Sequence, residues 1–275
     1  MAYDERIRKL MERFTIKSRD GVDISVMKAG AGPALLLIHG ALLNATLAWA
    51  AVLRRLQEHF TVYAMDRRGR APSGDGAEYS ISLEAEDIAR VVEAIGEPVV
   101  IVAHSYGALA TIEALLTQQL NSVTRVILYE PPGIVAGVAA RADGVAKMEQ
   151  ALAANDRDEV VRCFLMDQIG APAEVLAALK SSPIYPIVLQ IASTLPRESR
   201  TVNAWHTTRG RPGVWETPTV LLLGSETKGA MREGVMLLSR TMPDSWLIVI
   251  EGQGHSAMLQ APDLFVDTLL DARIP

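Results

Sequence analysis

The stretch Val99-Val100-Ile101-Val102-Ala103-His104-Ser105-Tyr106-Gly107-Ala108 constrains this chain more than any other. Its apolar, mostly β-branched run has the length and composition of a strand buried on both faces. A serine follows, and a helical pattern starts just beyond it. A strand that turns into a helix within one residue brings two backbones close together. The bend therefore needs small neighbours, and Ala103 and Gly107 are small. Taken alone, an ordinary helix with a serine N-cap reads the same way over so few residues.

The rest of the chain repeats the alternation. Residues 34–38, 61–65, 123–129, 218–223 and 246–250 read as strands, and residues 14–18 and 22–27 as a hairpin across Arg19-Asp20-Gly21. Helical patterns cover residues 47–60, 83–95 with Ser82 as N-cap, 106 to about 119, 231–241 and 262–270. Such order implies an α/β fold, a mostly parallel eight-stranded sheet flanked by helices. Ile7, Leu10, Met11 and Phe14 fall at helical spacing, so residues 1–14 are expected to form an amphipathic helix packed on the body or on a second subunit. Residues 131–211 break the pattern. Segments 142–154, 156–167, 172–179 and 184–195 read as helices without strands between them. They form a helical cap inserted into a core of residues 15–130 and 212–275.

With 275 residues, 49% of them hydrophobic, the chain can bury a large core. A net charge of −5 argues against a nucleic-acid partner. The single cysteine, Cys163, excludes an internal disulfide framework and a cysteine-rich zinc site. No apolar leader and no run of about 18–20 apolar residues is visible. The expectation is a cytoplasmic protein without metal, cofactor or membrane partner, acting on a small molecule, with a homodimer as an open option.

Ser105 needs a base before it can attack anything. Of five histidines, His255 lies in the glycine-rich loop Glu251-Gly252-Gln253-Gly254-His255-Ser256, just after the last strand. Parallel strands end at one shared edge, so this loop can face Ser105. His39 reads as a structural residue of its loop, and His59 as solvated. His104 points to the opposite face from Ser105 by strand alternation. His206 lies at the end of the cap. The base in turn needs an acid. Glu130 and Glu226 each follow a core strand. A carboxylate buried at a strand end requires a partner, which favours Glu130; Glu226 stands in a polar loop beside Lys228.

Together Leu37-Ile38-His39-Gly40, Asp66-Arg67-Arg68-Gly69, Ala103-His104-Ser105-Tyr106-Gly107 and Gly252-Gln253-Gly254-His255 resemble the α/β-hydrolase family, over residues 22–270. The resemblance makes Ser105 the nucleophile at its elbow and His255 the base. Most members take the acid after the later strand, here Glu226. Some, including haloalkane dehalogenases and zearalenone lactonase, take it from the earlier site, which Tyr129-Glu130-Pro131-Pro132 resembles. The same resemblance assigns the oxyanion donors to the backbone N–H of Tyr106 and of Ala41, with Leu42 as an alternative. A serine nucleophile argues against epoxide hydrolase and dehalogenase chemistry. It fits hydrolysis of a carboxylic ester, thioester or lactone through an acyl-enzyme. Met148, Phe164, Leu165, Met166, Tyr185 and Trp205 of the cap are either its own core or, with Leu42 of the loop after the first core strand, the lining of a pocket for a bulky hydrophobic or macrocyclic ester. Cys163 reads as cap core. Two rivals remain: carbon–carbon bond hydrolysis on the same triad, and a hydrolase-fold ligand receptor without turnover.

Overall fold

The computed structural model describes residues 12–135, 142–209 and 214–272. Eight strands form one sheet in the order β1-β2-β4-β3-β5-β6-β7-β8. They are β1 Glu12–Lys17, β2 Asp23–Ala29, β3 Ala34–Ile38, β4 Thr61–Met65, β5 Val99–His104, β6 Val123–Tyr129, β7 Thr219–Gly224 and β8 Ser245–Ile250. The first two pair antiparallel, β2 joins β4 antiparallel, and all other neighbours are parallel. This is the α/β-hydrolase fold.

The period of two along each strand sorts the core into two layers. Leu36, Ile38, Ile101, Ala103, Val126, Leu128, Leu221 and Leu223 face one way, against Ile88, Leu109, Ile112, Val235 and Leu238 of the helices. Leu35, Leu37, Val100, Val102, Ile127, Tyr129, Val220 and Leu222 face the other, against Trp49, Val52, Phe265 and Leu269. Covered on both faces, β3, β4, β5 and β7 are buried throughout. Their continuous apolar sequences follow from that.

Two local expectations are corrected. Residues 12–14 belong to β1, where Arg13 and Phe14 pair with Met27 and Val26. Ladder pairing overrides the helical spacing there; the rest of the expected N-terminal helix, residues 1–11, lies outside the described residues. Helix Ile81–Ile95 is capped by Ser80, whose hydroxyl accepts from the Leu83 N–H, so Ser82 sits inside the first turn.

Between β6 and β7 the described chain is helical, from Ala142–Ala153 to Leu195–Arg209. One segment, Cys163–Gln168, winds as a π-helix. Met148, Val160, Val161, Cys163, Phe164, Leu165, Val188 and Leu195 form a separate apolar cluster, and Ala41 and Leu42 of the core pack against it. A buried ionic joint holds the cap down. Glu198 of the cap accepts from both Arg67 and Arg70 of the loop after β4, at 2.6 and 2.7 Å. Arg67 also forms a two-point pair with Glu84. The polar motif after β4 is thus interior: Arg67, Arg68 and Arg70 are fully buried. Burial opposes ionisation of Glu198, but Arg67 and Arg70 hold its carboxyl below the usual range.

Candidate active site

Every loop that carries a candidate residue leaves the same edge of the sheet. Gly40 to Leu42 follow β3, Ser105 follows β5, Glu130 follows β6, Glu226 follows β7 and His255 follows β8. Ser105 bridges β5 to helix Tyr106–Thr117 with φ 52 and ψ −121. A side chain rarely adopts this conformation, and it costs on the order of 1–3 kcal/mol. Its cause is close packing on both sides of the bend. A Cβ on Gly107 would lie 2.5 Å from the His39 carbonyl and 2.7 Å from that of Ile38, and a Cβ on Gly40 would lie 2.9 Å from the Ser105 Cβ. The serine is therefore pressed against the loop after β3, with its side chain partly accessible.

Among the described residues, four other than glycine have positive φ, and three are Leu42 (58°), Ser105 (52°) and Glu130 (49°). All three stand just beyond a strand at this edge. Strain of this kind persists where surrounding structure over-determines the backbone.

Glu130 is completely buried and every lone pair that matters is used. Its Oε1 accepts from the Gly224 N–H at 2.8 Å and from the Thr227 hydroxyl at 2.7 Å. Its Oε2 lies 2.5 Å from His255 Nδ1. With Nδ1 turned to the carboxylate, Nε2 is the nitrogen left for proton transfer. Glu226 is exposed, and its backbone N–H is tied to the Gln253 carbonyl. Of the two acids considered from the sequence, Glu130 is the one paired with the histidine.

The two candidate oxyanion donors flank the serine. Tyr106 opens the helix, where a backbone N–H has no acceptor inside the helix. Ala41 follows the glycine that touches Ser105. The Tyr106 ring is buried beneath the Arg67 guanidinium, 4.5 Å away, and its hydroxyl meets that of Tyr79 at 2.5 Å. Burial keeps that hydroxyl protonated.

His39 is buried and neutral, its Nε2 accepting from the Arg67 N–H while Nδ1 donates to Gly40 O. It is a loop-holding residue, and His59 is exposed. His206 is in helix Leu195–Arg209, with its side chain outside the described residues. Strand alternation sets His104 aside, and Tyr129 enters the sequence reading only within the motif around Glu130. The structure places both against the histidine loop: the His104 ring is 4.6 Å from the His255 ring and the Tyr129 ring 6.2 Å. Their adjacency to Ser105 and Glu130 was the available signal.

The cap candidates divide. Phe164 and Met166 belong to the apolar cluster that meets Ala41 and Leu42, and Met148, Leu165 and Cys163 are its buried core. Burial, then a hydrogen bond to Glu159, pushes the Cys163 thiol up to about 11, so it stays protonated. Tyr185 packs at the margin of the cluster and donates its hydroxyl to Asp158. Trp205 lies apart from the others: it packs in the sheet-side core and donates to Glu113. Among the described residues, no group of three or more His, Cys, Asp or Glu could hold a metal, and no single helix is long and apolar enough to cross a membrane.

A strained serine, a buried glutamate paired with a partly exposed histidine, and the N-terminus of a helix thus share one edge of an α/β-hydrolase sheet. The family model described as "Alpha/beta hydrolase family" matches residues 35–268, and the chain belongs to that family. Its structure is similar to an alpha/beta hydrolase from Sphaerobacter thermophilus, with a TM-score of 0.81 and 28% identity over 94% of this chain and 99% of the other. The esterase RhEst1 from Rhodococcus sp. shares the fold at a TM-score of 0.72 and 20% identity, covering 95% and 98% of the two chains. In sequence it is 22% identical to a pimeloyl-[acyl-carrier protein] methyl ester esterase from Aeromonas salmonicida, over 90% of this chain and 97% of that one.

Proposed function

We propose that this protein hydrolyses carboxylic esters or lactones by a serine acyl-enzyme route. The observation that supports this reading is the Glu130–His255 pair, 2.5 Å apart, at the same sheet edge as a serine whose backbone is strained into the bend. Ser105 Oγ attacks the carbonyl carbon while His255 Nε2 takes its proton. Glu130 fixes the ring's tautomer and stabilises the imidazolium. The N–H groups of Tyr106 and Ala41 hold the oxyanion, aided by the positive end of helix Tyr106–Thr117. His255 then protonates the leaving alkoxide, and the acyl group remains on Ser105. Water, deprotonated by the same histidine, releases the acid.

Ala41, Leu42 and Met166 pack against the apolar cluster that holds Phe164, which supports an apolar group on the substrate. A panel of esters and lactones of graded acyl length, assayed with wild type and Ser105→Ala, tests the proposal. Wild type should turn over apolar members, and the variant should lose about 10⁶-fold in kcat. Wild-type inactivity across the panel, with the protein folded, would favour the ligand-receptor alternative.

A further inference from the structure

Ser105 and Glu130 each follow the last residue of a strand, and those two last residues, His104 and Tyr129, are partners across the β5–β6 ladder. Being in register, they present their side chains to the same face of the sheet. Both reach the loop that carries His255, and both hold it by its backbone. The Tyr129 hydroxyl donates to the Gly254 carbonyl and accepts from the Ala257 N–H at 3.2 Å. His104 Nε2 lies 2.8 Å from the His255 carbonyl. A carbonyl only accepts, so Nε2 carries a proton; burial disfavours a second proton on Nδ1 and keeps the ring neutral.

We propose that His104 and Tyr129 are positioning residues that clamp the backbone of residues 254–257 at three points, so that the His255 imidazole stays aligned between Glu130 and Ser105. The idea rests on the serine-hydrolase reading for its catalytic consequence, but not for its geometry. Without the clamp the loop 251–257 is glycine-rich and partly exposed. Its other backbone ties are Gly252 N–H to Ser225 Oγ, Gln253 N–H to Ile250 O and Glu226 N–H to Gln253 O before the histidine, and the Ser256 and Ala257 carbonyls accepting from Leu259, Gln260 and Ala261 of the following helix after it. The clamp ties residues 254, 255 and 257 to the ends of β5 and β6, on both sides of the ring's attachment. Tyr129 can do this at any working pH, because burial raises its hydroxyl and keeps the proton it donates. The neutral His104 ring adds no charge beside His255 when that imidazole becomes cationic.

Three variants separate positioning from packing. Tyr129→Phe keeps the ring, which packs 5.8 Å from Phe265, and loses two of the three bonds. His104→Leu loses the third, and His104→Gln can restore a donor at the same reach. We expect Tyr129→Phe and His104→Leu to lose about 10- to 100-fold in kcat, with KM changed less than about threefold, because a small misplacement of a catalytic group costs rate more than binding. The rate of Ser105 modification by a fluorophosphonate should fall in parallel, and His104→Gln should recover most of it. Amide exchange of the 251–257 segment reads the clamp without turnover and should quicken at least about tenfold in Tyr129→Phe. Unchanged exchange and unchanged phosphonylation in both loss variants would overturn the clamp, as would equal losses in His104→Gln and His104→Leu. A wild type that neither labels nor hydrolyses, with exchange still quickened in Tyr129→Phe, would instead sink the serine-hydrolase reading and leave the geometric clamp standing.

Discussion

The carboxylate of Glu130 lies 2.5 Å from Nδ1 of His255, a contact that joins residues 125 positions apart. The other Glu130 oxygen is saturated by Gly224 and Thr227, so the carboxyl group cannot rotate away without stranding a buried acceptor. Glu130→Gln should therefore lower kcat on a model ester by about 10⁴-fold, as loss of a triad acid does. Glu226→Gln, on an exposed residue, should stay within twofold. Steady-state kinetics on the two variants, with folding checked by circular dichroism, decides it.

The strain at Ser105 makes a stability prediction. Ser105→Ala keeps a Cβ at φ 52, whereas Ser105→Gly removes it. The glycine variant should be more stable than the alanine variant by about 1 kcal/mol, after allowing for glycine's extra freedom when unfolded. Urea midpoints for the two variants measure the difference.

Close packing of the elbow predicts the opposite at Gly107. A methyl group there meets two backbone carbonyls that cannot swing aside, at 2.5 and 2.7 Å. Gly107→Ala should cost about 3 kcal/mol or fail to fold, with a lowered denaturation midpoint as the readout.

The cap joint is a buried ionic group, and half of such a group is worse than none. Glu198→Ala leaves Arg67 and Arg70 without their shared acceptor and should cost about 3–5 kcal/mol. Glu93→Ala, which breaks the exposed pair with Arg90, should cost less than about 1 kcal/mol. Chemical denaturation of both variants compares them directly.

Two buried histidines set an acid limit on stability. Burial comes first in lowering His39 and His104 well below 6.5; Arg67, Arg70 and His104 add to it for His39, and His255 for His104. Folded, both rings stay neutral; unfolded, both take protons once the pH drops below about 6.5. Stability is thus full above that value and falls as pH drops from 6.5 towards 5, by up to about 1.4 kcal/mol per pH unit for each ring. Asp66 and Asp87, raised by burial, bind protons in the folded state and act in the opposite sense. Comparing wild type with His104→Gln isolates one ring: the variant's slope should be shallower by about one proton.

Much of this architecture could be read from residue order. The buried strands announce themselves because covering on two faces demands unbroken apolar runs, and Ser105 and His255 stand out because small residues or glycines surround them. The acid was harder. Glu130 and Glu226 both follow core strands, and only the fold shows that one is enclosed and the other faces water. Residues 12–14 misled because three residues carry either period, and β2 offered a ladder. His104 was discounted by correct strand alternation applied too narrowly. It does point away from Ser105, but towards the loop that brings His255 round from β8.

The most direct test is to trap the acyl group. Wild type quenched during turnover of a slow p-nitrophenyl ester should carry the acyl mass on the peptide containing Ser105, after a burst of one p-nitrophenol per chain, and Ser105→Ala should give neither burst nor adduct. Hydrolysis by Ser105→Ala at the wild-type rate, or an acyl group found on another residue, would contradict the proposed triad.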